Sequence, residues 1–103
     1  MSQEMADELL QRDLVDHARG VDALVKVRLT DDQRNALVSF AFNLGLHALA
    51  GSTLLRLLNL RDYAGAAKEF KRWSHIGQRE DAGLLRRRIA ERDLFLSISE
   101  PKP

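Results

Sequence analysis

Apolar residues recur at spacings of three and four from Met5 through Ala6, Leu9, Leu10, Leu14, Ala18 and Val21 to Val25, which predicts one long amphipathic helix at the start of the chain. Ser2 reads as its N-cap. Gly20 falls inside the pattern, where glycine costs about 1 kcal/mol relative to alanine, so a kink or a close packing contact is expected there. Lys26 to Leu29 reads as a short connector. The next stretch, Leu29 to Gly45 (L-T-D-D-Q-R-N-A-L-V-S-F-A-F-N-L-G), is the one the other helices should pack around. Thr30 with Gln33 forms a capping-box pattern, Asp31 and Asp32 sit favourably at the positive end of the helix dipole, and Gly45 supplies a left-handed stop. Between these ends only Ser39 and Asn43 interrupt the apolar run, so the predicted helix is buried on most sides.

Shorter elements follow. His47 to Ala50 is long enough for one turn, and Ser52 or Thr53 opens a helix from Leu54 to Asn59 with leucines turned inward. Asp62 caps a helix on which Tyr63, Ala66, Ala67, Phe70 and Trp73 keep helical spacing, with Lys68, Glu69, Lys71 and Arg72 on the wet face. Ser74 to Glu80 reads as a loop around Gly77. Asp81 then caps a last helix to about Leu96, whose expected buried stripe is Leu85, Ile89 and Leu96, helped by Leu84 and Phe95. No alternating run predicts a sheet. The pattern is therefore all-α: five or six helices around a buried central one, in a single domain over residues 1–96, with a flexible tail over 97–103.

Composition changes this picture little. One hundred and three residues suit one core, and 45% hydrophobic with 30% charged residues is ordinary for a globular protein. There is no cysteine, which removes disulfide and thiolate chemistry. The N-terminus M-S-Q-E-M-A-D-E has no apolar run of signal-peptide length, and no stretch approaches the roughly 18 apolar residues of a membrane span, so the chain reads as cytoplasmic. The net charge of +1 hides an asymmetry: residues 1–20 carry five acids and two arginines, residues 61–92 nine bases and five acids. The two ends should attract one another.

Four blocks carry a family resemblance. Leu29 to Gly45, S-T-L-L-R-L-L-N from Ser52, D-Y-A-G-A-A-K-E-F-K-R-W from Asp62 and G-L-L-R-R-R-I-A-E-R-D-L-F-L from Gly83 resemble, in order and spacing, the phage-type lysozymes of glycoside hydrolase family 24. A-D-E-L-L-Q-R-D-L from Ala6 resembles the long helix that joins the two lobes of those enzymes. The resemblance implies a compact lysozyme-like helical fold and a phage or prophage lysis protein related to peptidoglycan degradation. It also implies that the catalytic Glu, its Asp or Cys partner and a Thr belong to an N-terminal lobe ahead of the joining helix. The expectation is thus a truncated protein, inactive alone, that binds peptidoglycan weakly or persists as a remnant. The alternative is an interaction or inhibitor module that reuses the helical lobe to bind a host or phage protein.

A displaced copy of the catalytic pattern (Glu, eight residues, Asp or Cys, five residues, Thr) fails at its third position: Glu4 and Asp13 have the first spacing, but Arg19 stands where Thr is required. Both acids also lie on one predicted helix, about 13 Å apart along its axis, with no separated walls to aim them at one bond. No catalytic residue is therefore assigned.

Substrate or partner contacts fall to two groups. Arg86, Arg87, Arg88 and Arg92 form a cation cluster suited to carboxylates, or else they pair with Glu91, Asp93 and the acidic first helix. Trp73, His75 and Gln78 occupy the segment that lies beside the substrate cleft in the resembling enzymes, although S-H-I-G-Q-R-E-D replaces the Gly-rich turn usual there, and Trp73 at this spacing is more often a core residue than a sugar platform. His17, His47 and His75 lack metal-ligand spacing, so no metal and no cofactor is expected. Near-neutral charge without a reader motif argues against nucleic acid, and nothing suggests a membrane. A face opened by an absent lobe would favour self-association or a protein partner, with Leu9, Leu10 and Val21 as contacts.

Overall fold

The computed structural model describes residues 3–97, with side chains from Leu14 onward. Ser2 and the tail beyond Ser97 lie outside the described residues, and Leu9 and Leu10 outside the described side chains. The chain runs α1 (Gln3–Leu24), α2 (Asp31–Leu44), α3 (Leu46–Ala50), α4 (Thr53–Asn59), α5 (Tyr63–Glu69), a 3-10 turn (Phe70–Trp73), β1 (His75–Ile76), β2 (Arg79–Glu80) and α6 (Ala82–Leu96).

The helix boundaries follow from local chemistry. Thr30 Oγ1 accepts from the Gln33 N–H at 3.0 Å while Gln33 Oε1 accepts from the Thr30 N–H at 2.8 Å, completing the predicted capping box. Ser52, Asp62 and Asp81 cap α4, α5 and α6 through side-chain oxygens in the same way. Gly45 ends α2 with φ +102° and ψ 146°, a positive-φ extended conformation rather than the left-handed helical one expected. At the end of α4 it is Arg61, at φ 67°, that takes up the left-handed turn, and Asp62 N–H then bonds the Leu57 carbonyl at 2.9 Å to close a Schellman motif.

Helix α2 is the hub, burying Ala36, Leu37, Phe40 and Ala41 against α1 on one flank and α6 on the other. Burial is less complete than the apolar run suggested: Phe42 is 38% exposed, its ring in a T-shaped contact with His17 of α1, ring centres 5.5 Å apart. Gly20 packs as the sequence implied, since a Cβ there would stand 2.4 Å from Leu46 Cδ1. Across the core, Phe40 meets Phe70 at 5.8 Å and Trp73 at 5.4 Å edge-on, and Phe70 meets Phe95 at 5.5 Å, so one aromatic cluster ties α2, the 3-10 turn and α6 together. Such pairs contribute about 0.5–1.5 kcal/mol beyond their buried area.

Three expectations are corrected. The segment read as a loop around Gly77 is a small antiparallel hairpin pairing His75 with Glu80 and Ile76 with Arg79; strands of two residues are too short to show alternation. On α6, Leu96 is 53% exposed, while Arg88, Glu91 and Phe95 are buried. The facing stripe has helical spacing, but two of its members are charged, and an apolar count passes over them. Val21 belongs to the closed core with no exposed surface, so it offers nothing to a partner.

Ser97, the first residue assigned to the tail, lies within reach of Asp32 Oδ2 at 2.6 Å and the Leu94 carbonyl at 2.8 Å, its single hydroxyl proton serving one at a time. No described helix is long and apolar enough to cross a membrane.

Candidate functional site, the groove between α2 and α6

The two polar interruptions of α2, Ser39 and Asn43, are four residues apart and therefore share one face. That face looks onto α6. Together with Arg87, Ala90, Glu91 and Leu94 they line an open groove of about 280 Å³. Asn43 donates to the Ser39 carbonyl at 2.9 Å, and its side-chain oxygen accepts a hydrogen bond from Arg87 Nη1. An exposed guanidinium is thereby held at the groove mouth by an amide anchored to the helix backbone. Leu94, 37% exposed, supplies an apolar wall.

Beneath the groove lies a buried charge pair. Glu91 is 4% exposed and Arg88 wholly buried. Glu91 Oε2 accepts from Ser39 Oγ at 2.6 Å and from Arg88 Nη2 at 3.2 Å. Arg88 Nε stands 2.9 Å from Glu91 Oε1, yet the contact is too bent to be a hydrogen bond, and Arg88 Nε, Arg88 Nη1 and Glu91 Oε1 lack hydrogen-bond partners. The Arg88 guanidinium also lies 5.6 Å from the centre of the Phe40 ring, within cation–π range. Burial pushes the Glu91 carboxyl above the usual carboxylate range, against the opposing pull of the Ser39 hydrogen bond and of Arg88 and Arg87. Burial likewise lowers Arg88 from the usual guanidinium value, though an arginine stays charged.

The sequence-derived site residues separate in space. Arg87 lines the groove, whereas Arg88 is inside the fold and out of reach of any ligand. Arg86 is exposed, and Arg92 is engaged with Asp93, Nη2 to Oδ1 at 2.8 Å. Trp73 packs edge-on against Phe40 as part of the core margin. His75 and Gln78 sit on the exposed hairpin, His75 Nε2 4.0 Å from Glu80 Oε2. None of these three lines the groove. Ser39, Asn43 and Glu91, which do, were absent from the sequence-derived set; the signal available was the pair of polar breaks in the apolar run of α2. Among the described residues no group of three or more His, Cys, Asp or Glu is arranged to hold a metal.

A helical bundle built on a central capped helix, with a groove of mixed polar and apolar lining along its α6 side, has the architecture of a lysozyme-like helical domain. The structural relatives say the same. The muramidase domain of SpmX from Asticaccaulis excentricus superposes with a TM-score of 0.86 at 39% identity, covering 95% of this chain and 69% of that one. A crystal structure of a P22 lysozyme mutant gives 0.82 at 44% identity, covering 94% and 66%. The phage lysozyme family model matches residues 1–91, and this chain belongs to the phage lysozyme family. Among its relatives, the endolysin of Salmonella phage P22 is 47% identical over 94 residues, 91% of this chain. The endolysin of Bacillus phage B103 is 47% identical over 97 residues, 94% of this chain. The chain spans 64% of the length of the P22 endolysin and 37% of that of the B103 endolysin.

Proposed function

We propose that this chain serves peptidoglycan degradation and host-cell lysis as the helical part of a phage-type muramidase, engaging the glycan weakly and performing no turnover by itself. Family membership across residues 1–91 supports the substrate class. The observation that carries the lack of turnover is in the sequence: of its six glutamates only Glu4 is followed at the right distance by an Asp or Cys, and the third position is Arg19 instead of Thr. The groove side of the bundle, with Arg87 held by Asn43 at its mouth, is the surface on which a glycan or a catalytic segment would be met. Arg86 and Arg92 extend its positive charge along α6, and His75 and Gln78 give a separate polar edge on the hairpin.

The test uses the pure chain on purified sacculi. The expected result is no release of soluble glycan by the chain alone, measurable co-sedimentation with sacculi, and weaker co-sedimentation of Arg87→Gln. Turnover by the chain alone overturns the lack of activity, and absence from the pellet overturns glycan binding. Turnover that begins when the part of the P22 endolysin that this chain does not cover is added as a separate polypeptide supports a muramidase completed by another segment.

A second reading rests on Leu94, the apolar wall left open beside Arg87: the same groove docks a host or phage protein, or a second copy of this chain. Retention of a protein partner, or dimerisation in sedimentation analysis, lost in both Leu94→Ser and Arg87→Gln, would favour it.

A further inference from the structure

We propose that Glu91 is a proton-sensitive tie between α2 and α6: ionised, it holds Ser39 and neutralises Arg88, and protonated, it frees the guanidinium, lets α6 shift against α2 and so moves Arg87 at the groove mouth. The geometry is that of a tie. One carboxylate oxygen collects a donor from each helix, Ser39 Oγ of α2 at 2.6 Å and Arg88 Nη2 of α6 at 3.2 Å. The other oxygen has no hydrogen bond, and two of the three Arg88 nitrogens have none either. The cluster is therefore held by one ion pair of 2.9 Å and only part of its hydrogen-bonding capacity, and groups left unmade in a buried network are costly.

Adding a proton changes the donor and acceptor count. A neutral carboxyl has one O–H to give and no charge to set against the guanidinium. Arg88, with no exposed surface, is then a buried cation without a counter-ion, a costly state that water entry relieves. The groove is the route, because Ser39 and Glu91 are among the residues that line it. Among the described residues, the charged groups that act on Glu91 are Arg88 and Arg87, both on α6; α2 presents Ser39 and Asn43, neither of which titrates, and the charged residues of α5 and the 3-10 turn, Lys68, Glu69, Lys71 and Arg72, are not among those that shift it. Burial outweighs the two arginines and the Ser39 hydrogen bond, so the carboxyl takes up its proton above the ordinary carboxylate range, while the folded state is intact.

The molecule carries its own reporter. Trp73, the single tryptophan, packs edge-on against Phe40 at 5.4 Å, and the Arg88 guanidinium lies 5.6 Å from that same ring. The experiment follows Trp73 fluorescence and the carboxyl carbon of Glu91 by NMR, on the full chain, from about pH 8 down to about pH 3, either side of the ordinary Glu value of roughly 4.3. The expected result is a fluorescence transition that tracks the Glu91 titration, with a midpoint above that ordinary value and far-ultraviolet circular dichroism unchanged across it. Glu91→Gln should abolish the transition. Ser39→Ala should move the midpoint upward, since it deletes a hydrogen bond to the ionised form. Glu91 titrating at or below the ordinary value, or Trp73 silent while Glu91 titrates, overturns the proposal. Should Glu91→Gln fail to fold, the Ser39→Ala midpoint decides alone: no movement, or movement downward, overturns it equally.

Discussion

Two arginine–carboxylate pairs lie beside α2, and they are opposites. On the α1 side, Arg34 grips Asp22 in a bidentate fork, Nε to Oδ1 and Nη2 to Oδ2, each at 2.8 Å, with side chains 40% and 52% exposed. On the α6 side, Arg88 and Glu91 are almost wholly buried, with one hydrogen bond of 3.2 Å and a second contact bent out of shape. Good geometry thus occurs where water already screens the charges, and poor geometry where nothing does. An exposed pair has little to lose, because each partner is solvated when the other is removed. A buried pair is costly to form and far costlier to halve, because the survivor is left uncompensated. The α2–α6 seam is therefore held by the requirement that both members be present.

The largest expected effect follows directly. Glu91→Ala leaves Ser39 and Arg88 without the acceptor they share and should lower stability by about 3–5 kcal/mol, the usual loss when one partner of a buried pair is removed. Urea denaturation followed by Trp73 fluorescence measures it. Arg88→Met combined with Glu91→Leu removes both charges and should recover most of that loss, since well-packed apolar replacements of buried pairs are commonly neutral or better. A double variant as unstable as the single one would show that volume, and not charge, governs the seam.

The two carboxylates should also respond to pH with opposite signs. Burial raises Glu91 above its unfolded value, so its proton-linked contribution is fully present below about pH 4.3 and is lost as pH rises through the elevated native value. The hydrogen bond from Arg34 lowers Asp22, so its contribution is present above about pH 3.9 and is lost as pH falls through the depressed native value. Denaturation midpoints across this range should show Glu91→Gln removing a decline in stability on the neutral side, and Asp22→Asn removing a decline on the acid side. The same sign for both variants would contradict the contrast.

How far the chain could be read in advance follows the same division. The capping box at Thr30, the caps at Ser52, Asp62 and Asp81 and the tight site at Gly20 are local features, legible because each involves residues three or four apart or one missing side chain. The stripe of α6 was misread because apolar periodicity treats every arginine and glutamate as a surface residue, whereas here Arg88 and Glu91 face inward and Leu96 outward. Arg87 stood among the candidate contacts, but nothing in a one-dimensional pattern separates it from Arg86 and Arg88. Only the way α6 is turned against α2, with successive residues rotated around its axis, puts one in the groove and another inside the fold. Ser39 and Asn43 were visible as breaks in an apolar run without indicating what they faced. The hairpin at His75–Glu80 was hidden by its brevity.

The smallest effect is expected on the α1 side, and it completes the contrast. Asp22→Asn removes the charge but leaves an amide oxygen for Arg34, on a surface where solvent replaces whatever is lost. Exposed pairs contribute about 0.2–1 kcal/mol, and the bidentate fork places this one toward the upper end of that range. Salt separates the two seams most cleanly. At 1 M ionic strength the screening length falls to about 3 Å, so the difference between wild type and Asp22→Asn should shrink toward nothing. Glu91→Ala should keep its full cost, because no mobile ion reaches a guanidinium with no exposed surface. If salt erased both differences alike, water and ions would have to reach Arg88 in the folded state, and the α2–α6 seam would be as wet as the α1–α2 seam.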